Sequence, residues 1–366
     1  MPCDFQLGLS TIDELRKLKD DEQKIDNRDE EAPVRLRNPH VAEMKSDILY
    51  HLALGSGSHD LQAMFGDVKF VCMGGTPRRM KQFAHFIMGE IGFELPTGTQ
   101  LLDISQLSYR YSMYKVGPVI SVSHGMGIPS VGILLHEMIK LMYHAKAKNP
   151  TFFRLGTCGG IGIEGGNLVI TESAVDGMMR PFLEQPVLGE LQQREGILDK
   201  ELADELKTLS KPDDPWSTHV GRTMCTTDFY EGQGRLDGAF CDYTERDKLD
   251  FLENIHKQGI LNMEMESLMF AALCHHAGIR AGVICVTLLD RLKGDQVSAD
   301  KKTLNEWQEY PQRLVARYIR RRMKEASPSL TQSVHHPLSP GESGVIRSIS
   351  QLNLTRQTSE QVNSCE

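Results

Sequence analysis

The stretch Thr151-Phe152-Phe153-Arg154-Leu155-Gly156-Thr157-Cys158-Gly159-Gly160-Ile161 runs from an apolar strand into a glycine cluster, and the segment after it decides the fold. A strand ending in small residues lets backbone N–H groups approach an anion, and Arg154 and Thr157 add a charge and a hydroxyl at the same spot. The pattern reads as an oxyanion cradle. Gly160, Gly162 and Gly165 also match GxGxxG literally, but that dinucleotide fingerprint needs a helix to begin inside the glycines. Residues 167–172 (Asn-Leu-Val-Ile-Thr-Glu) read instead as another strand, which excludes the nicotinamide reading. The plain alternative is that the glycines only shape a tight turn and Arg154 is a solvated surface residue. The loop does not separate the two, so partners elsewhere in the chain must.

At 366 residues and 40% hydrophobic content, the chain can bury a full core. The formal net charge of −8 is uneven: residues 1–31 hold ten acidic and five basic groups, and residues 325–366 four and two. The body between them is near −1, with no basic face for nucleic acid and no field for a membrane surface. Small polar or anionic ligands fit better. The cysteines form no CxxC pair, no apolar run approaches the ~20 residues of a membrane span, and the N-terminus lacks a signal-peptide core. These features predict a soluble protein of the cytosol.

Residues 1–32 predict a charged, disordered tail with at most a short helix over 10–24, and 325–366, rich in Ser, Thr, Gln and Pro, predict a second disordered tail. Between them, residues 68–73 read as a strand. Gly74-Gly75-Thr76-Pro77-Arg78-Arg79 then turns into a helix ending near 92, a second anion-binding candidate. Residues 111–116 and 119–123 read as paired strands around Gly117-Pro118, and an apolar helix comes next, to about 147. Its His136-Glu137-x-x-Lys140 lacks the second histidine of a zincin, so no metal site is expected. Further helices are expected over 199–209 and 245–258, a strand over 219–224, a helix opening at Asn262-Met263-Glu264-Met265-Glu266-Ser267, a buried strand over 281–289, and a basic helix over 304–323. The section 178–198 is polar and variable, with no element assigned to it. Strand alternating with helix predicts α/β, one sheet covered on both faces.

Taken together, these motifs resemble the uridine phosphorylases of the nucleoside phosphorylase-I superfamily, most closely the animal enzymes. The resemblance covers roughly 33–324. It rests on Phe65-Gly66-Asp67-Val68-Lys69-Phe70-Val71, Met113-Tyr114-Lys115-Val116-Gly117-Pro118-Val119, the 121–130 segment Ser-Val-Ser-His-Gly-Met-Gly-Ile-Pro-Ser, the 154–162 cradle, the 228–237 segment Asp-Phe-Tyr-Glu-Gly-Gln-Gly-Arg-Leu-Asp, and Met263-Glu264-Met265-Glu266-Ser267. It implies a single α/β/α domain with a central mixed sheet, and reversible phosphorolysis of uridine and deoxyuridine with inorganic phosphate as co-substrate and no cofactor.

By the same resemblance, Gly75, Arg79, Arg110, Arg154 and Thr157 match phosphate contacts. Phe229, Gln233, Arg235, Leu288 and Leu289 match the uracil pocket, and His51, Glu264, Met265 and Glu266 the ribose site. Arg235, Gln233, Arg154 and Glu266 are the residues expected to carry catalysis, with Arg291 supporting them. His51 and Arg110 match residues lent by a neighbouring subunit, which implies a homodimer with shared sites.

Cys158 and Asp290 depart from the family pattern, where Ser or Thr and Asn are usual. Two rivals remain: a purine nucleoside phosphorylase, for which Asp290 is the nearby acid, and a non-catalytic nucleoside-binding paralogue, which should have lost an arginine or the ribose glutamate.

Overall fold

The computed structural model describes residues 26–29 and 32–326; the tails at 1–25 and 327–366, with the helix expected over 10–24, lie outside the described residues. After helix α1 (Pro39–Glu43), strands β1 (Ile48–Leu49) and β2 (Leu54–Gly55) form a minimal antiparallel pair, and α2 (Leu61–Phe65) succeeds them. Then come β3 (Phe70–Gly74), α3 (Pro77–Glu90), β4 (Met113–Val116), β5 (Val119–Ser123), α4 (Gly127–His144), β6 (Thr151–Gly160) and β7 (Leu168–Val175). The rest of the described chain is β8 (Phe182–Val187), β9 (Glu190–Glu195), α5 (Lys200–Thr208), β10 (Thr218–Cys225), α6 (Glu245–Lys257), β11 (Ile260–Glu264), α7 (Ser267–His276), β12 (Ala281–Asp290), α8 (Lys301–Trp307) and α9 (Tyr310–Ala326).

Eight strands make one mixed sheet in the order β11-β10-β7-β12-β6-β3-β5-β4. β6 runs parallel to β3 and β12, while β4/β5 and β7/β12 are antiparallel. Strand alternation divides the core between the two faces. Val71, Met73, Phe152 and Val283 face α4 and α7, whereas Phe70, Cys72, Phe153 and Ile284 face α3, α5 and α9. The α/β/α expectation is therefore met.

β11 pairs with β10 and also crosses back onto β6, with Asn262 opposite Gly160 and Met263 opposite Gly159, so five strands close on themselves. The paired glycines leave room for what packs over the end of β6. A Cβ on Gly159 would stand 2.9 Å from Arg291 Cγ, and one on Gly160 would overlap the Ile163 carbonyl. No helix starts inside the glycines, since β7 comes after them, as the sequence predicts.

Three segments differ from expectation. Residues 260–264 are a strand and the helix begins only at Ser267, because ladder pairing to β10 and β6 outweighs the helical propensity of Met and Glu. The polar 182–195 section is a β-hairpin turning at Leu188 and Gly189, both with positive φ. The closing helix is two helices, and Pro311 lies in the first turn of the second, where its missing N–H is harmless.

Packing also begins before the expected boundary at residue 32. Asn27 is only 3% exposed; its amide donates to Arg35 O at 3.0 Å and Ala277 O at 2.7 Å, and accepts from Arg35 N at 2.8 Å. Asn27→Ala leaves those buried groups unpaired and is expected to cost about 1–3 kcal/mol, read as a lower urea midpoint at unchanged m-value. An unchanged midpoint would refute the anchoring role.

Candidate active site

Arg154 lies mid-strand in β6 and is 2% exposed. A guanidinium so placed must be neutralised, and two carboxylates do it. Its Nη2 pairs with Glu266 and, at 2.8 Å, with Glu264 Oε2, while Nη1 donates to Cys285 Sγ at 3.0 Å. The side chain lies back along the sheet over Gly156, two residues on and on the same face. A Cβ there would overlap the guanidinium and stand 2.8 Å from Cys285 Sγ, so the Arg-x-Gly spacing is a steric requirement.

The two glutamates are used differently. Glu264 caps α7: its carboxylate accepts from the backbone N–H of Glu266 at 3.0 Å and of Ser267 at 2.9 Å, and from the Ser267 hydroxyl. Glu266 accepts from Gly127 N at 2.6 Å, at the start of α4. Burial pushes both carboxyls up; at Glu266, Arg154 and the Gly127 N–H outweigh it and hold the group below its ordinary range.

Arg79 occupies the first turn of α3, where Thr76 accepts from its backbone N–H. Gln308 Oε1 accepts from Arg79 Nε at 3.1 Å and Nη2 at 2.7 Å, which leaves Nη1 for the cradle. Burial and the nearby Arg154 lower the Arg79 pKa to about 10, well above neutrality, so it stays charged. A Cβ on Gly75 would lie 3.9 Å from Arg79 Nη1 and 4.0 Å from His124 Cε1; those groups therefore meet at one point. Thr157 is half-buried on β6 next to Cys158, whose thiol burial pushes well up, consistent with packing rather than reactivity.

Gln233 and Arg235 flank Gly234, which has φ +62°, after the 3₁₀ turn Glu231–Gln233. The Thr226 hydroxyl donates to Asp228 O at 2.8 Å, so it must accept from Gln233 Nε2 at 3.2 Å. That fixes the amide and leaves its carbonyl oxygen for a ligand. Arg235 is gripped by Asp237 at 2.8 and 2.7 Å and sits 4.4 Å over the Phe229 ring. Beneath the turn, buried Arg291 donates to Gln233 O at 2.9 Å and pairs with Asp295 at 2.9 Å, and Asp295 also pairs with Lys248 at 2.9 Å. Leu288 and Leu289 are half-buried near the end of β12, and Met265 is half-buried between the two glutamates.

Two nominated residues stand apart from this cluster. Arg110 is exposed and its guanidinium joins none of the site's side chains. His51 Nδ1 donates to Glu137 Oε1 at 2.7 Å, and its backbone N–H donates to the same buried carboxylate. That contact sets the tautomer and leaves Nε2 outward. Ile48, Tyr50, Leu107, Tyr109, Met126 and Ile133, on the segments that carry them or at α4, are exposed apolar side chains.

Asp290 accepts from Gly162 N at 2.9 Å and Leu292 N at 3.1 Å, so its carboxylate shapes the glycine turn. Sequence reasoning did not find Gln308, Glu137, Asp295, Lys248 or His124. Each has a partner more than 45 residues away, although Asp295 also pairs with Arg291 four residues back, and none stands in a motif that names its role. Among the described residues no group of three or more His, Cys, Asp or Glu could hold a metal ion, and no helix is long and apolar enough to cross a membrane.

A family model of the phosphorylase superfamily matches residues 69–320. Uridine phosphorylase 1 of Mus musculus is 50% identical over 302 residues, 82% of this chain and 97% of that protein. Inactive uridine phosphorylase B of Schistosoma mansoni is 36% identical over 285 residues, 78% and 95% of the two chains. The crystal structure of a Schistosoma mansoni uridine phosphorylase in complex with thymidine superposes with TM-score 0.76 at 37% identity, covering 79% of this chain and 99% of that one.

Gly156→Ala is expected to push the Arg154 guanidinium off its carboxylates. Calorimetric titration with inorganic phosphate should then show affinity reduced about tenfold or more. Unaltered binding would mean that Arg154 does not depend on the gap at Gly156.

Proposed function

The chain belongs to the phosphorylase superfamily, and on that premise we propose that it is a uridine phosphorylase, cleaving uridine or deoxyuridine with inorganic phosphate to uracil and the sugar 1-phosphate. One observation carries this reading: buried Arg154, joined to a ribose-type carboxylate, Glu266, lies within electrostatic reach of a second, half-buried arginine, Arg79. Two guanidiniums, the Gly75 backbone and the Thr157 hydroxyl suit a phosphate dianion. They would hold it against C1′ of the sugar, with Glu266 accepting from a ribose hydroxyl and Met265 forming the floor.

The reaction moves one bond. A phosphate oxygen bonds to C1′ as the C1′–N1 bond breaks, the electron pair leaves with the base, and the pyrimidine then takes up a proton. Charge therefore grows on the base in the transition state. Arg235, steered by Asp237 and stacked on Phe229, is placed to stabilise it, a contribution absent from the ground state. Gln233 offers a carbonyl to the pyrimidine N3–H and its remaining amide hydrogen to a ring carbonyl, while Leu288 and Leu289 supply apolar walls. Glu264, both of whose oxygens serve α7 or Arg154, positions the site.

A purine substrate fits less well. Its departure needs an acid at N7, and the one candidate, Asp290, already accepts two backbone N–H groups. A relative named inactive keeps the non-catalytic reading open to assay, but every residue nominated for catalysis is present here.

The isolation of Arg110 and His51 from the cluster supports a homodimer in which a second copy lends both. The exposed apolar side chains on the same segments and on α4, which packs on β1, support the same arrangement. The absence of a membrane-spanning helix among the described residues suits a cytosolic enzyme.

Purified protein given uridine should release uracil only when inorganic phosphate is added. Arg154→Ala should slow this by roughly 10²–10³, the effect of losing a charged donor from a dry site. Equal release without phosphate would indicate a hydrolase. Subunit sharing has its own test: after exchange between Arg110→Ala and Glu266→Ala dimers, one site of each mixed dimer carries both lesions and the other neither. Activity should rise above the mean of the parents, and confirmed exchange without that rise would assign Arg110 to its own subunit.

A further inference from the structure

His124 lies between β5 and α4, and it is 1% exposed. Its backbone is pinned: the N–H donates to Gly74 O at 2.8 Å and the carbonyl accepts from Ser130 Oγ at 2.6 Å. Neither ring nitrogen makes a hydrogen bond of good geometry, although the Gly125 backbone lies close enough to act on the ring. Leaving two buried polar atoms unpaired is costly, and such atoms in a native fold call for an explanation. Much of that cost falls at one place. Among the described residues seven buried side-chain nitrogen or oxygen atoms lack a partner, and three of them are the His124 ring nitrogens and Arg154 Nε. The imidazole faces the Gly75 turn, and Arg79, Arg154 and Glu266 act on it electrostatically. This is where the phosphate cradle converges.

The ring is uncharged there, because burial and the Arg154 guanidinium push its pKa down to about 3. A neutral imidazole has one N–H and one bare nitrogen, so it accepts a hydrogen bond without adding or repelling charge. Nearly everything else around the cradle donates: Arg79, Arg154 and the Gly75 backbone. Glu266 accepts, but it is held by Arg154 and Gly127 N, and its charge would repel an anion. Hydrogen phosphate carries a P–OH that requires an acceptor, whereas sulfate at neutral pH carries none.

We propose that His124 is a ligand of the phosphate co-substrate, its bare ring nitrogen accepting from the P–OH group, and that this contact makes the site prefer phosphate to sulfate. The proposal rests on the phosphorylase reading for the identity of the anion and adds a residue and a selectivity to it. A hydroxyl that meets its acceptor, set against an oxyanion lone pair that meets a bare nitrogen, is a polar mismatch, and such mismatches discriminate strongly.

The test titrates inorganic phosphate and sodium sulfate separately into the full chain at neutral pH without nucleoside, then repeats both with His124→Phe. The native protein should bind phosphate about tenfold or more tighter than sulfate. In His124→Phe the phosphate affinity should fall about 10- to 100-fold, the range for a hydrogen bond to a charged group, and the preference should collapse toward equality. Equal binding of the two anions by the native protein, or an undiminished preference in His124→Phe, overturns the proposal. The native ratio needs no variant, so a His124→Phe chain that fails to fold leaves the test standing. In the steady state with uridine, the variant's KM should rise for phosphate and not for the nucleoside; the reverse pattern assigns the ring to the sugar and rejects the proposal. If native protein releases no uracil from uridine, the substrate reading fails, and the nucleoside-free titrations still judge His124.

Discussion

A guanidinium sealed inside the sheet is the constraint on which the rest of the site depends. Arg154 is fully desolvated, and an unpaired charge in that position would cost several kcal/mol. Glu264 and Glu266 neutralise it, and each then has to be held itself. Glu264 is held by the first N–H groups of α7, and Glu266 by the N-terminal N–H of α4. The charge thus ties β6 to two helices on the same face of the sheet. Gly156 provides the gap in which the side chain lies, and Arg79, held by Gln308 near the C-terminal end of the domain, adds positive charge from the other side. A site so braced presents donors at fixed positions, which suits stabilisation of charge without reorganisation.

A second buried network supports the turn that carries Gln233 and Arg235. Arg291, Asp295 and Lys248 pair beneath it, and Asp295 also accepts from Leu236 N at 3.0 Å. The two networks meet where β11 crosses β6, since the Arg291 side chain packs against Gly159, five residues beyond Arg154 in the same strand. Barrel closure, the Arg154 cluster and the support beneath the Gln233 turn therefore meet at one short stretch of chain. The glycines there have separate steric reasons: a Cβ on Gly159 would meet the Arg291 side chain, one on Gly160 the Ile163 carbonyl, and one on Gly156 the Arg154 guanidinium.

Local chemistry was legible where it is written in neighbouring residues. A proline one step inside α3 with glycines before it, or a glycine cluster leading into a β-rich run, is read without knowing what packs above it. The strand at 260–264 was misread because its pairing partners lie about 40 and 100 residues away, and methionine and glutamate locally favour helix. The hairpin over 182–195 was missed because its faces are mostly polar, so alternation carries little hydrophobic signal.

By itself the sequence determined the α/β class, the order of most elements, the rejection of a dinucleotide site, and the set of arginines, glutamates and the Gln233/Arg235 pair nominated for chemistry. The class, the element order and the rejected dinucleotide site depend on residue type and short spacing, and the nominations on the resemblance that the motifs carry. Only the tertiary structure decided that Glu264 caps a helix while Glu266 joins Arg154 to the start of α4, that Asp290 shapes a turn, that Gln308 and Glu137 hold Arg79 and His51, and that His124 is buried with neither nitrogen in a well-formed hydrogen bond. Those assignments depend on which polar groups lack water and what they meet instead, and burial is a property of the whole packed chain.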